Sequence, residues 1–308
     1  MINDSIFTYK DESEGKIGIG KLPIDLLPVL KELSNDYYDL IPDKKSSTFH
    51  TWYKELNPSL KSKVAKIQNH KFFHELCDGS NKCININVHE MDELYYSNPK
   101  NNLNKINLYG ASSNYDIHKD CIFNFNGIKF YRVLIGLTNR NDNIITHFKN
   151  LDKGHKINFG DYIVFDFDKS THQVIKDKEK STPRILLKIH YIVCENCKYS
   201  KEYVECVKNF YQKYEMITRY IMKTGTDPTT FYQFFMGLVC QFFYTNNIKY
   251  VILLLIIFII FVLEYFLKIK LIYENTSKII TNVLFWLIFI FLIIVTFYWL
   301  RYKLFRIR

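Results

Sequence analysis

The segment Tyr115-Asp116-Ile117-His118-Lys119-Asp120 puts a histidine and an aspartate two residues apart. In extended backbone such residues project from one face, so an imidazole nitrogen and a carboxylate can meet a single metal ion. A third donor is needed, and His172 fits, because it opens a β-rich run after the turn-like Asp168–Thr171. Two histidines and one carboxylate on one face leave open positions on the ion. That is the donor set of non-haem Fe(II) sites, where a co-substrate and dioxygen bind together. Arg184 follows His172 by twelve residues. A hairpin turn centred near Lys178 would put it almost opposite His172 on the neighbouring strand. Its planar fork could there pair bidentately with a dicarboxylate on the metal. His-x-Asp alone is a weak signal in a chain with nine histidines. The plain alternative is a surface histidine beside a solvated aspartate, and His172 with Arg184 weighs against it.

The run Gly160-Asp161-Tyr162-Ile163-Val164-Phe165-Asp166-Phe167-Asp168-Lys169-Ser170-Thr171-His172-Gln173-Val174, followed by Arg184, resembles the aspartyl/asparaginyl β-hydroxylase family of 2-oxoglutarate oxygenases. Upstream, Tyr131-Arg132-Val133-Leu134-Ile135-Gly136-Leu137 is similar to that family's Arg-x-x-x-Gly-Leu strand. The resemblance covers residues 105–195. It implies Fe(II) held by His118, Asp120 and His172. It also implies 2-oxoglutarate as co-substrate, its far carboxylate on Arg184 and a further contact from Arg132. The reaction implied is oxidative decarboxylation to succinate and CO2, coupled to hydroxylation of an unactivated C–H bond. Family analogy offers a protein side chain of the Asp or Asn type, or a lipid, as substrate. The chain departs from the pattern in two places. Asp120 completes a triad where some members use two histidines, and Leu134 stands where some have a histidine. Two other readings compete: a non-catalytic, membrane-tethered interaction protein on the same fold, and a cupin-like metal enzyme that does not use 2-oxoglutarate. The four residues His118, Asp120, His172 and Arg184 together favour the oxygenase.

These residues need a scaffold. Residues 1–80 read mainly as helices: Pro23–Leu40 and Leu60–Leu76 have helical apolar spacing, and Asn57-Pro58-Ser59 has the form of a helix start. Residues 81–195 change to short β-rich runs, at Cys83–Val88, Ile122–Phe125, Phe130–Leu137, Ile144–Phe148, Tyr162–Phe167, His172–Ile175 and Ile185–Val193. Turn residues at Asn126-Gly127, Asn141–Asn143, Gly160-Asp161 and Asp177–Pro183 separate them. The expected architecture is a mainly β, double-stranded β-helix (jelly roll) core with flanking helices. Residues 196–247 read as a helical, partly amphipathic connector.

Residues 248–308 hold two apolar runs, 250–267 and 279–300. Each approaches or exceeds the length needed to span a bilayer, at ~1.5 Å per residue against ~30 Å. The short joining loop predicts a transmembrane hairpin, followed by a tail carrying Arg301, Lys303, Arg306 and Arg308. The formal charge of +10 fits an anionic membrane surface; no signature of nucleic-acid binding, P-loop or dinucleotide fold accompanies it. Seven cysteines without framework spacing, and no apolar leader, predict reduced thiols and a cytosolic domain. The basic tail places both chain ends inside by the positive-inside rule. Other candidates rank below the triad. Cys194-x-x-Cys197 lacks two further zinc ligands. His190 reads as a strand residue without ligand duty, His70 and His74 as a chance pair, His147 and His155 as rim residues, and Asp166 and Asp168 as turn residues.

Overall fold

The computed structural model describes residues 6–11, 13–41, 48–97, 119–120, 123–139, 141, 144–151, 154–176, 183–226 and 230–232. The chain divides into one unit of residues 1–105 and 111–217 and a second of residues 106–110 and 218–308. Of the second, only helical residues up to Thr226 and 230–232 are described. The apolar runs at 250–267 and 279–300, with the expected hairpin, lie outside the described residues. Among the described residues no helix is long and apolar enough to cross a membrane.

The first unit is mainly β, and every strand pairing among the described residues is antiparallel. The strands are β1 (Tyr9–Asp11), β2 (Gly15–Lys21), β3 (Thr48–Trp52), β4 (Ile84–Asn87), β5 (Glu93–Ser97), β6 (Lys129–Gly136), β7 (Ile144–Phe148), β8 (His155–Lys156), β9 (Asp161–Asp166), β10 (His172–Lys176) and β11 (Arg184–Cys194). An eight-stranded sheet has the order β1-β2-β9-β6-β11-β5-β3, with β4 also on β11; a three-stranded sheet has the order β10-β7-β8. From β6 to β11 the chain crosses repeatedly between the two sheets, which is the winding of a jelly roll.

Alternation along each strand gives the large sheet two different faces. Tyr131, Val133 and Ile135 of β6 and Ile185, Leu187, Ile189, Tyr191 and Val193 of β11 pack against the flanking helices α1 (Leu27–Leu40) and α2 (Pro58–Gln68). Leu30, Leu33, Val64 and Ile67 come from the helix side, all fully buried; each contributes roughly 1.5–3 kcal/mol by leaving water. The opposite face meets the small sheet, where Leu134, Ile163, Phe165 and Leu186 pack on Phe148 and Ile157. Helix α3 (Lys201–Thr226) closes one end, with Val204, Val207 and Tyr211 against Phe130, Phe167 and Ile192.

Local signals act where expected. Asn57 caps α2 by accepting from the Leu60 amide at 2.9 Å, with Pro58 in the first turn. Gly160 turns the chain at φ +78°, a conformation that disfavours a side chain. Gly136 lies so close to the Asn158 carbonyl that a Cβ would sit 1.9 Å from it.

Three expectations need correction. Residues 1–80 hold helices at 24–40, 58–68 and 71–77, but β1, β2 and β3 also lie there and join the large sheet. Their short, glycine- or aromatic-containing runs lack a long alternating pattern, and pairing with β9 and β5 decides their state. The run at 122–125 is no strand among its described residues; Phe125 makes only an isolated bridge to Ile128. Finally, β10 and β11 are not a hairpin: β10 pairs with β7, and β11 with β4, β5 and β6. His172 therefore faces Phe148 and Arg184 faces Ser97, in different sheets.

The cysteines also differ from expectation. Cys77–Cys83 and Cys194–Cys197 are disulfides, and Cys206 is an exposed free thiol. The two bridged loops bond to each other: the Asn196 amide donates to Ser80 Oγ at 2.9 Å and the Cys197 amide to the Lys82 carbonyl at 2.9 Å. Spacing alone could not reveal this, because Cys77 and Cys194 are far apart in sequence.

Candidate metal and anion site

His172 begins β10 and is buried between the rings of Phe148 and Phe165, at centroid distances of 5.7 and 4.9 Å. Its Nδ1 lies 3.3 Å from the Ser170 carbonyl. A carbonyl only accepts, so this bond puts the proton on Nδ1 and leaves Nε2 as the donor atom for a metal. Nε2 points toward Asp120 Oδ2, 3.7 Å away. A metal ion with bonds of ~2.1 Å to each atom spans such a gap. One imidazole held by a backbone carbonyl and one carboxylate beside it therefore fit a divalent ion. His118, the third expected ligand, lies outside the described residues.

Arg132, on β6, is fully committed in this site. Its Nη1 donates to Asp120 Oδ2 at 2.6 Å, its Nε to His190 Nε2 at 2.9 Å, and its Nη2 is 3.5 Å from Glu215 of α3. The guanidinium lies over the Phe167 ring, 4.4 Å from its centroid. Its neighbours are the metal-ligand candidate and the core, rather than an open anion position. His190 lies on β11 and is held in the same network. It is fully buried, and its Nδ1 is 3.2 Å from Asp92 Oδ1, itself fully buried. The sequence signal for His190 was parity: it shares a face of β11 with Arg184, and its register partner is Arg132.

Arg184 presents the opposite condition. It is 3% exposed, and its Nε and Nη1 have no hydrogen-bond partner. Burial pulls its guanidinium down to about 10, with nearby Tyr95 opposing the shift. It remains charged at neutral pH. Along β11 it lies on the face of Leu186, which packs against Phe148 of the small sheet. Its unsatisfied donors thus lie between the two sheets rather than on the helix side.

Other polar residues line the same face of β5 and β11. Lys188 Nζ is 2.5 Å from Glu93 and 4.4 Å from the Tyr95 ring centroid, while His50 Nδ1 is 3.0 Å from Glu93. Asp166 ends β9 and accepts from the Asp168 and Lys169 amides, as a turn residue does. Asp168 accepts from the Tyr211 hydroxyl of α3.

No protein-family model matches the chain, and no curated protein matches it. Solved structures with some likeness include a viral collagen prolyl hydroxylase from Paramecium bursaria chlorella virus-1, in a 2OG complex. It is 14% identical, with a TM-score of 0.37, over 59% of this chain and 98% of that one. HygX from Streptomyces hygroscopicus, with nickel and 2-oxoglutarate bound, is 10% identical, with a TM-score of 0.37, over 57% and 81%. A Pseudomonas putida prolyl-4-hydroxylase is 13% identical, with a TM-score of 0.33, over 57% and 91%. Such distant likenesses carry no residue-level assignment; the chemistry has to come from the side chains of this chain.

Proposed function

We propose that the chain is an Fe(II)- and 2-oxoglutarate-dependent oxygenase. The observation that carries this reading is Arg184: a buried cation with two unpartnered N–H donors between the sheets of a jelly roll. An unsatisfied buried donor costs about 1–3 kcal/mol, so such a group persists where an anion completes it. A dicarboxylate co-substrate reaching from the metal side would do so, and Arg suits a carboxylate through its planar fork. The residues that would hold the metal are Asp120 and His172, with His118 as the expected third.

When bound, the metal and co-substrate supply the oxidising power that places a hydroxyl on an unactivated C–H bond. The chain's own residues bind and orient. The Ser170 carbonyl holds the proton on His172 Nδ1, so that Nε2 serves the metal. Arg184 fixes the far end of the co-substrate. Phe148, Phe165 and Leu186 share one buried apolar cluster, with Phe148 and Phe165 against His172.

The substrate we favour is a protein side chain of the Asp or Asn type, or a lipid, acted on by a domain anchored through the apolar runs at 250–267 and 279–300. The two disulfides favour an oxidising compartment for that domain. This weighs against the cytosolic side expected from charge and thiol content. Protease protection in sealed vesicles decides it: shielding of the domain supports a lumenal placement, and digestion from outside restores the cytosolic one.

The direct test of the function is release of succinate from 2-oxoglutarate by the purified full chain with Fe(II). Turnover that needs both, and that is lost in His172→Ala, supports the proposal. A wild-type rate in that variant would remove the site.

A further inference from the structure

A line of buried hydrogen bonds runs from the candidate metal ligand through the large sheet to helix α2. Gln68 Nε2, at the end of α2, donates to Asp92 Oδ2 at 2.7 Å. Asp92 Oδ1 accepts the His190 backbone amide at 2.9 Å and faces His190 Nδ1 at 3.2 Å. His190 Nε2 meets Arg132 Nε at 2.9 Å, and Arg132 Nη1 meets Asp120 Oδ2 at 2.6 Å. Donor counting fixes every direction. Arginine has no acceptor, so His190 must accept at Nε2 and carry its proton on Nδ1, which then donates to Asp92. A neutral histidine of one tautomer is the only form that satisfies both neighbours.

We propose that Arg132 and His190 are positioning residues for the metal site, acting through Asp120. The inference rests on reading Asp120 as a ligand. Its physical basis is where Asp120 sits. It lies in a bend. His172 has a strand, a carbonyl and two aromatic rings to fix it. The Asp120 carboxylate accepts from Arg132 Nη1 at 2.6 Å and lies 3.7 Å from His172 Nε2. Arg132 has a long side chain with several rotatable bonds and would hold nothing unless held itself. His190 and Glu215 take its other nitrogens, and Phe167 takes its flat face. The rigid end of the chain of bonds is Asp92, buried and tied to both β11 and α2. Groups that orient a metal ligand from behind typically change metal affinity or activity 10–100-fold when removed.

The assignment separates Arg132 from Arg184 in kind. Arg184 would be read by the co-substrate; Arg132 would be read by the metal. It also gives α3 a part in the site, through Glu215.

The test is Mn(II) binding to the full chain, followed by the electron paramagnetic resonance of free Mn(II), with folding of each variant checked by near-ultraviolet circular dichroism. His190→Leu removes the acceptor and is expected to weaken Mn(II) binding at least tenfold. His190→Gln can still offer an oxygen to Arg132 and is expected to stay within about threefold of wild type. Arg132→Lys keeps the charge but loses the fork, and should weaken binding as His190→Leu does; it serves where the leucine variant fails to fold. At saturating Fe(II), the KM for 2-oxoglutarate should move less in these variants than the metal affinity does. Unchanged Mn(II) affinity in both His190→Leu and Arg132→Lys overturns the inference while leaving the oxygenase reading standing. Unchanged affinity in Asp120→Ala, or no Mn(II) binding by the wild type, overturns the ligand assignment and the inference with it.

Discussion

Two arginines on the same face of the large sheet live in opposite conditions. Around Arg132 every nitrogen has a protein partner: Asp120, His190 and Glu215. Around Arg184 two nitrogens have none among the described residues, although it is the more buried of the two. A low-dielectric interior makes a satisfied charge rigid and an unsatisfied one costly. The first condition describes a brace. The second describes a binding group whose partner arrives from solution. The difference teaches that burial alone does not mark a ligand-binding cation; the inventory of its unmet donors does.

The largest effect should come from the metal side of this comparison. His172→Ala removes one of the two described ligand candidates and should abolish succinate release altogether. The assay is 2-oxoglutarate consumption with and without Fe(II). Activity that survives would place the metal elsewhere and leave Arg184 an anion site without chemistry beside it.

Next is Arg184 itself. Arg184→Lys exchanges a planar fork for a point charge. A lost charge-assisted bond of roughly 1.5–3 kcal/mol predicts a 2-oxoglutarate KM raised about ten- to a hundredfold. Arg184→Met should bind no 2-oxoglutarate, yet its ligand-free form should be more stable than wild type by about 1–3 kcal/mol, because an unmet buried donor has gone. Chemical denaturation reads the second effect. The same cost has a pH signature. The folded-state value, about 10, lies below the ordinary guanidinium range. Between them the unfolded chain holds the extra proton, so stability from this group rises with pH in that window. Below about 10 the cost is present in full. A destabilised Arg184→Met variant, with no such window, would mean that Arg184 already has its partner within the protein.

What the sequence made legible follows from range. The strands β6, β7, β9, β10 and β11 were readable because their apolar runs are long and bounded by turn residues. The start of α2 was readable from Asn57 and Pro58. The candidate ligands were readable from spacing and from a family likeness, and the structure brings Asp120 and His172 within 3.7 Å. What stayed hidden depends on distant partners. Sheet exchange between β10 and β11 cannot be seen from a turn that would equally serve a hairpin. β2 and β3 are strands because β9 and β5 pair with them. The bonds of His190 are hidden because its partners, Arg132 and Asp92, lie 58 and 98 residues away. Likewise Glu215 reaches Arg132 only because α3 packs back on Phe130 and Phe167.

Added co-substrate gives a smaller, cleaner contrast. At a concentration a hundred times its Kd, 2-oxoglutarate should stabilise the Mn(II)-loaded wild type by about 2.7 kcal/mol by mass action. Under the same conditions Arg184→Met should show none of this, and Leu187→Ala, on the helix-facing side of β11, should show all of it from a lower starting stability. Thermal melting of the three proteins with and without the ligand makes the comparison. Equal ligand shifts in wild type and Arg184→Met would detach the anion from Arg184.

The smallest effect concerns the bridged loops, far in character from either arginine. Cys77–Cys83 and Cys194–Cys197 close short loops, and short loops remove little entropy from the unfolded chain; roughly 2 kcal/mol each is the scale. Reduction should therefore lower the melting temperature by several degrees without unfolding the domain and without changing the 2-oxoglutarate KM, because Cys194 stands at the opposite end of β11 from Arg184 and Cys77–Cys83 precedes β4. The chemistry is checked separately. Of seven cysteines, at most three should react with a thiol reagent when the unreduced chain is unfolded. Cys206, exposed on α3, should react in the folded protein as well. Seven reactive thiols, with no change in melting on adding reductant, would return the domain to a reducing compartment. That result would leave the contrast between Arg132 and Arg184 intact, because neither arginine depends on a bridge for its partners.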